Sequence, residues 1–154
     1  MEVKRAPPWD PESKPSFWIN HASRLILRKF EQRLRPLDFG TAYFPVVFAL
    51  EEGGPLLQKQ LAEHAHVEQS TMAALLARME RDELISREPH PSDRRASQIS
   101  LSAKARARLP EAKERLGEIA DRATAGFTER EQATLVALLR RVVKNLDEGV
   151  EDRG

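Results

Sequence analysis

The chain of 154 residues is the size of one domain, and its 25 Lys and Arg residues against 24 Asp and Glu residues give a formal net charge of +1. Affinity for a polyanion would therefore require local clusters of positive charge, because the overall charge contributes almost no attraction. No cysteine is present, which excludes disulfides, thiolate metal sites and thiol-based redox sensing within the chain.

Residues 1–15 are rich in proline and predict an extended N-terminal arm. They lack the apolar run of a secretory signal, and no apolar stretch in the chain approaches the roughly 20 residues that cross a bilayer. The sequence therefore predicts a soluble, cytoplasmic protein without a membrane partner.

Residues 16–36 have the spacing of apolar positions that is typical of a helix, and Ser16 is a suitable N-cap. Pro36 is expected to end this helix, because proline disfavours a helical residue before it. A second, largely buried helix is predicted to begin at Thr41. Pro45 is compatible with that helix only in its first turn, so the start must lie close by.

The segment 57–83 predicts two helices joined by a tight turn, at about 57–65 and 68–83. The apolar stripe of the second helix consists of Met72, Leu75, Leu76 and Met79.

Two short strands are predicted at 85–88 and 98–101, because apolar and polar residues alternate there. The proline-containing segment between them suits a hairpin loop whose tip is Pro91-Ser92-Asp93-Arg94-Arg95. Two strands amid helices indicate a small β-hairpin wing.

Ser102 is predicted to cap a long helix, which Pro110 is expected to kink or to break locally. Thr128 and Glu131 predict a capping box at the start of a last helix. Residues 148–154 are expected to fray. The long helix has an apolar stripe with the spacing of an intermolecular seam, formed by Ala105, Leu109, Ala112, Leu116, Ile119 and Ala123. The last helix has a similar stripe, formed by Leu135, Leu138, Leu139, Val142 and Leu146.

These elements and six short sequence words resemble the MarR family of winged helix-turn-helix repressors over nearly the whole chain. The Asp-Arg-Arg word in the wing, at its distance from the Ser-Thr helix start, is the most specific of them. The words are Gln60-Leu61-Ala62-Glu63, Gln69-Ser70-Thr71, Ala77-Arg78-Met79-Glu80, Leu84-Ile85-Ser86-Arg87, Asp93-Arg94-Arg95 and Ser100-Leu101-Ser102.

The resemblance implies a mainly α fold with a small β-hairpin wing. A winged helix-turn-helix DNA-binding lobe would comprise 37–101, and a helical dimerisation region would comprise 16–36 and 102–147. The family also implies a homodimer on a pseudo-palindromic operator of double-stranded DNA. A cleft beneath the DNA-binding lobe would accept a small aromatic or phenolic effector.

The candidate base-reading residues lie at the start of the second helix of the helix-turn-helix. Gln69, Ser70 and Thr71 can reach base edges there, while backbone N–H groups and the helix dipole face phosphate. Gln is a suitable bidentate partner for adenine. The alternative is that Ser70 and Thr71 only cap or solvate the helix start. Ala73 and Ala74 replace the longer polar residues common in the family, which favours thymine methyl contacts.

His66 and Glu83 stand where the family usually has glycine, and the resemblance implies that either adopts a left-handed backbone at a cost of about 1 kcal/mol. Histidine tolerates this conformation better than most residues.

Arg94 and Arg95 are predicted to clamp the neighbouring groove, where an Arg gains from the potential of a narrow minor groove. Asp93 is unsuited to a DNA contact, and the resemblance implies that it holds a wing Arg or Arg78 by a charge-assisted hydrogen bond. Arg78 and Arg87 complete the candidate DNA-binding set. Phosphate contacts are expected for Arg87 and for three cations of the long helix, Lys104, Arg106 and Arg108. The alternative for all these cations is ordinary solvation.

An effector cleft is predicted from an aromatic wall and a cation on the first two helices, a combination that suits a phenolic carboxylate. The alternative is that the aromatic side chains pack in the core. The candidate residues are Trp18, His21, Arg24, Phe44 and Phe48.

No metal, cofactor or catalytic site is predicted. His64 and His66 point to different faces of a helix, and His21 and His90 lie in separate elements. The sequence has no phosphate-binding loop or nucleophile motif. The leading interpretation is therefore a DNA-binding transcriptional regulator. A helical protein-interaction module that never touches DNA is the alternative, and an enzyme ranks third.

Overall fold

A computed structural model describes residues 9–147 of the chain. The fold is mainly α with one small antiparallel sheet, which confirms the predicted fold class. Most of the predicted N-terminal arm and all of the predicted C-terminal tail lie outside the described residues. Where the arm is described it is not fully extended, because Pro11–Ser13 forms a 3-10 turn whose Glu12 N–H donates to Asp10 Oδ1 at 3.2 Å.

Six helices and three strands make up the described chain. Short 3-10 turns at Arg35–Leu37 and Thr41–Tyr43 join the first two helices. The elements are α1 (Pro15–Leu34), α2 (Phe44–Gly53), β1 (Leu56–Leu57), α3 (Gln58–Ala65), α4 (Gln69–Arg81), β2 (Ile85–His90), β3 (Asp93–Leu101), α5 (Ala103–Ala123) and α6 (Glu129–Asp147).

Two predicted helix starts were wrong. Helix α1 begins at Pro15 and not after a Ser16 cap, since proline at the first helical position needs no hydrogen-bond acceptor for its nitrogen. Thr41 does not cap α2. Its N–H donates to Glu31 Oε1 at 2.8 Å, its hydroxyl donates to the same oxygen, and α2 starts three residues later. Pro45 nevertheless lies in the first turn of α2, as predicted.

The contact with Thr41 makes Glu31 a pH-dependent stabiliser of the fold. Hydrogen bonds from the Thr41 hydroxyl and N–H lower the pKa of Glu31 below its ordinary value of 4.5. We expect Glu31→Gln to reduce the free energy of unfolding by about 0.5 kcal/mol at pH 7, a figure discounted for solvent screening. Because the folded-state pKa is lowered, this difference should be full above pH 4.5 and vanish as the pH falls through the lowered value.

Urea unfolding of the wild type and Glu31→Gln at several pH values measures that difference. Thr41→Val removes the hydroxyl donor and should make the same Glu31 substitution less costly. A difference that stays constant from pH 7 to pH 3 would contradict this role for the carboxylate.

The sheet has the order β1-β3-β2, and both pairings are antiparallel. Strand β1, which the sequence did not predict, pairs Leu56 with Ile99 and Leu57 with Gln98. Two residues are too few for an alternating pattern to be visible in the sequence. This pairing ties the start of α3 to the wing strand β3.

The helix-turn-helix of α3 and α4 has the predicted backbone turns. His66 has φ of +52° and Glu83 has φ of +59°, so both adopt the predicted left-handed conformation.

At the end of α4, the Tyr43 hydroxyl donates to Asp82 Oδ2 at 2.7 Å. Burial and this hydrogen bond raise the pKa of Tyr43 to about 12. The predicted apolar stripe of α4 is buried in the core, at Met72, Leu75, Leu76 and Met79.

Helix α5 begins as predicted, with Ser102 Oγ accepting from the Ala105 N–H at 3.0 Å. Pro110 lies inside the helix, which continues through it without a break. The first half of the predicted intermolecular seam is wrong. Ala105, Leu109 and Ala112 are buried in the core of the chain's own first unit, which comprises Met1–Ile119.

The second unit comprises Ala120–Gly154 and contains α6. The predicted capping box is confirmed, because Thr128 N–H donates to Glu131 Oε2 at 2.8 Å and Glu131 N–H donates to Thr128 Oγ1 at 3.2 Å. No residue of α6 is buried in the described chain. Its exposed large apolar side chains are Leu135, Val136, Leu138, Leu139, Val143 and Leu146.

Candidate nucleic-acid interface

The candidate base-reading residues share the solvent-exposed face of α4. Because the opposite face supplies the buried stripe, the helix is held by its apolar side and presents its polar side to solvent. The exposed candidates are Gln69, Ser70, Thr71, Ala74 and Arg78. Such a face is free to enter a major groove, which is wide enough for an α-helix.

The first turn of α4 has no side-chain cap. Glu68 is the N-cap residue and makes no side-chain hydrogen bond to the helix. Ser70 and Thr71 lie inside the first turn, so the predicted alternative of capping does not apply to them. The backbone N–H groups of this turn are therefore available to donate to an external acceptor such as a phosphate.

The wing differs from the predicted long hairpin loop. The two strands continue almost to the tip, where His90 pairs with Asp93 and only Pro91 and Ser92 form the turn. Arg94 and Arg95 consequently belong to strand β3 and not to the loop tip.

A register shift lies between Pro89 and His90, because Pro89 pairs with Ser97 and His90 with Asp93. Arg94 and Arg95 occupy the resulting bulge, and both are exposed. Bulges redirect side chains and are frequent next to functional sites. Both arginine side chains are therefore open to solvent at an irregular part of the wing.

Asp93 holds a wing arginine, as predicted, but it does so through the backbone N–H and not through a guanidinium group. Asp93 Oδ1 accepts from the backbone N–H of Arg95 at 2.9 Å, and no ion pair of Asp93 with an arginine side chain is present among residues 9–147. An aspartate that bonds the N–H two residues ahead stabilises a turn. Asp93 therefore fixes the backbone from which Arg95 projects.

Several cations predicted to touch phosphate are engaged within the chain. Arg87 Nε donates to Glu80 Oε2 at 3.0 Å, which links β2 to α4 and leaves 29% of the Arg87 side chain exposed. Lys104 and Arg108 both pair with Asp38, at 3.2 and 2.5 Å, and these contacts lower the pKa of that carboxyl. These three cations are thus positioned to stabilise the lobe and are less available to DNA than Arg94 and Arg95.

The sequence did not reveal the partners of two of the candidate residues. Gln58 Nε2 donates to Gln69 Oε1 at 3.3 Å, and Glu80 binds Arg87. Neither pair has the spacing of neighbours on one helix or across one hairpin, so no local pattern signals it.

The candidate effector residues form two separate groups. Trp18 and His21 make an edge-on ring contact on α1 with centroids 6.4 Å apart, and Arg24 is exposed on the same helix. Phe44 stacks with Phe48 on α2 at 5.3 Å, but Phe44 is buried in the core whereas Phe48 is 42% exposed.

No ring contact joins the two groups within the described part of the chain. The two described surface clefts, of about 460 and 400 Å³, are lined by other residues. Phe44 therefore supports the core, and Trp18, His21, Arg24 and Phe48 are the candidates that reach solvent.

Two features are absent from residues 9–147. No cluster of three or more histidine or acidic side chains that could hold a metal ion occurs there. None of the helices in that range combines the length and the apolar character needed to cross a membrane.

Comparison with known proteins places this geometry in context. The MarR family model matches residues 42–97, a range that contains α3, α4, β2 and the first five residues of β3. The transcriptional regulator SarZ of Staphylococcus aureus is 30% identical over 129 residues, which span 82% of this chain and 84% of SarZ. These relatives are regulators, which confirms the prediction that the chain is not an enzyme.

Two solved structures have the same fold. The transcriptional repressor CouR bound to a 23-mer DNA duplex aligns with a TM-score of 0.78 and 22% identity, covering 91% of this chain and 99% of CouR. Bordetella bronchiseptica BpsR, described with regulation of its DNA binding by 6-hydroxynicotinic acid, aligns with a TM-score of 0.75 and 21% identity, covering 89% of this chain and 98% of BpsR.

Proposed function

The chain belongs to the MarR family of transcriptional regulators, and from this we propose that it is a homodimeric, ligand-responsive repressor acting on a pseudo-palindromic operator. The observation that carries the proposal is the pairing of an exposed polar α4 face with two exposed arginines in the bulge of the wing. Helix α4 would enter the major groove, and Arg94 and Arg95 would reach the adjacent minor groove.

Roles for the individual residues follow from this arrangement. Gln69, Ser70 and Thr71 would contact base edges, and Ala74 would contact a thymine methyl group. Arg78, at the far end of the same face, would bind phosphate and set the position of the helix on the duplex. Because the operator is chromosomal DNA, the protein would act in the cytoplasm.

The homodimer is supported by the exposed apolar stripe of α6. A 19-residue helix with this many exposed leucine and valine side chains gains little stability alone in water, and a stripe of this kind favours burial against another chain. Two copies would bring two α4 helices to half-sites about 34 Å apart on the duplex.

Repression and its relief are supported by the two structural neighbours, one described as a DNA-bound repressor and one as regulated by a hydroxylated aromatic acid. In this chain the effector would be a small aromatic or phenolic acid. The ring of this acid would contact Trp18 and His21 of one group and Phe48 of the other. Phe44 would support Phe48 from the core, and Arg24 would bind the carboxylate of the acid.

The test is selection of duplexes from a randomised pool, followed by fluorescence anisotropy with the selected operator and a scrambled duplex. We expect a specific site with two inverted half-sites, bound at least roughly a thousandfold more tightly than the scrambled duplex. The affinity should fall steeply between 50 and 200 mM salt, because phosphate contacts release counterions. A protein-interaction module would enrich no sequence and would show no salt-dependent DNA binding.

A further inference from the structure

The contact between Gln58 and Gln69 joins the starts of the two helices of the helix-turn-helix. Gln58 is the first residue of α3, and Gln69 is the first residue of α4. The Gln58 side-chain amide nitrogen lies 3.5 Å from the Gln69 backbone oxygen and 3.3 Å from Gln69 Oε1. One amide group therefore faces both the backbone and the side chain of the candidate adenine reader.

The backbone oxygen settles the orientation of both amides. A carbonyl can only accept, so the Gln58 side chain must direct its NH2 group toward Gln69. The Gln69 atom beside that NH2 group must then be the acceptor Oε1, because a second NH2 group there would place two donors against each other. It follows that Gln69 Nε2 points away from Gln58, with both of its protons available.

The chain immediately before Gln58 is held by two contacts. The preceding residue, Leu57, pairs with Gln98 of the wing strand β3. The Leu57 N–H also donates to Gln60 Oε1 at 2.8 Å, which closes the first turn of α3. Gln58 is partly buried, whereas Gln69 is exposed. The more buried glutamine thus orients the more exposed one.

We propose that Gln58 is a positioning residue that sets the base preference of Gln69 without touching the base. Adenine presents an acceptor at N7 and a donor at N6 in the major groove, and a glutamine matches both only in one amide orientation. With Gln58 in place, Gln69 Nε2 donates to N7 while the second lone pair of Oε1 accepts from N6. This inference rests on the proposed function, in which Gln69 reads a base.

Without Gln58 the Gln69 amide can rotate by half a turn at little cost. It can then offer NH2 to guanine or the carbonyl oxygen to cytosine, so the preference for adenine relaxes. Affinity for DNA in general would change little, because phosphate contacts do not depend on this amide.

The experiment measures a specificity ratio, which is the Kd for an operator carrying G·C at the Gln69 position divided by the Kd for the selected operator. The Gln69 position is the base pair at which the Gln69→Ala variant loses its sequence preference. We expect Gln58→Ala to lower the ratio by about fivefold, an effect typical of coupled contacts. In the Gln69→Ala background, Gln58→Ala should have no further effect on the ratio.

Two further variants separate positioning from structural support. Gln58→Glu has the same shape but only accepts, so it should turn the Gln69 amide and lower the ratio at least as far as alanine does. Gln58→Lys keeps a donor and should preserve the ratio. Loss of stability or of a phosphate contact would change both Kd values together and leave the ratio unaltered.

Failure of the inference and failure of the proposed function give different results. If Gln69→Ala abolishes one base preference and Gln58→Ala leaves the ratio unchanged, Gln58 is not a positioning residue. If Gln58→Ala weakens binding equally on both operators, Gln58 acts through stability or a phosphate contact and the inference is overturned. If Gln69→Ala alters no base preference, then the reading role of Gln69 and the inference both fall.

Discussion

Replacing Arg94 and Arg95 together by alanine is expected to weaken binding to the selected operator by more than about tenfold at fixed salt, with the dimer intact. Both side chains are exposed in the wing bulge and form no ion pair within residues 9–147. Their loss removes two positive charges from the groove edge and costs the fold no buried contact. The effect should therefore appear in DNA affinity and not in stability.

Anisotropy titrations at several salt concentrations test this prediction. If each arginine neutralises one phosphate, the slope of log K against log salt should decrease in magnitude by about 1.8 for the double alanine variant. Arg94→Lys with Arg95→Lys keeps both charges and should retain the slope. It should still lose affinity at an A·T-rich minor groove, which favours the guanidinium group.

A matched control removes the same charge elsewhere. Arg122 and Arg130 are exposed residues of the second unit, and their double alanine variant should leave operator affinity within about twofold. Asp93→Asn retains the oxygen that accepts from the Arg95 N–H and should bind nearly as wild type. Equal losses from the two double alanine variants would mean that the wing acts only through net charge, and would remove it from the mechanism.

The wing also shows how far the sequence could predict this interface. Alternation of apolar and polar residues predicted two strands, and the Asp-Arg-Arg word predicted the position of the cations. The bulge at Arg94 and Arg95 depends on the pairing of Pro89 with Ser97 across the two strands. The spacing of apolar and polar residues along the chain does not encode that pairing. The hairpin therefore has longer strands and a tighter turn than the long proline-containing loop that the sequence predicted.

Local signals gave the helix-turn-helix most reliably. The buried stripe of α4 follows from helical periodicity, which acts over a few residues, whereas the left-handed backbone at His66 and Glu83 was implied by the resemblance to the family. The pairing of Arg87 with Glu80 and of Gln58 with Gln69 follows from tertiary packing. The sequence therefore identified the candidate DNA-binding residues, and the structure identified the residues that contact them.

Periodicity alone could not assign an apolar stripe to one chain or to two. Ala105, Leu109 and Ala112 have the spacing of an intermolecular seam but pack in the chain's own core. The stripe of α6 has the same spacing and is exposed. Only the burial of each stripe distinguishes them, and it leaves the α6 stripe as the candidate for the proposed intermolecular contact.

Substituting Leu139 and Leu146 of α6 together by glutamate is accordingly expected to convert the dimer to a monomer. The two residues lie on one face of the helix, and Leu146 is 69% exposed in the single chain. Burying two carboxylates in an apolar contact costs far more than the contact contributes. Because a dimer engages its second half-site at a high effective concentration, operator affinity should fall by roughly a hundredfold or more.

Sedimentation of the free protein and anisotropy with the operator measure the two effects. Ala137→Glu introduces the same side chain on the opposite face of α6, and it should leave both the dimer and operator affinity unchanged. Each variant should also be compared on a single half-site duplex, where monomer and dimer should bind with similar affinity. A dimer that survives the double glutamate substitution would show that the exposed stripe of α6 does not form the dimer interface. Other residues would then have to hold together the two chains that bind the two half-sites.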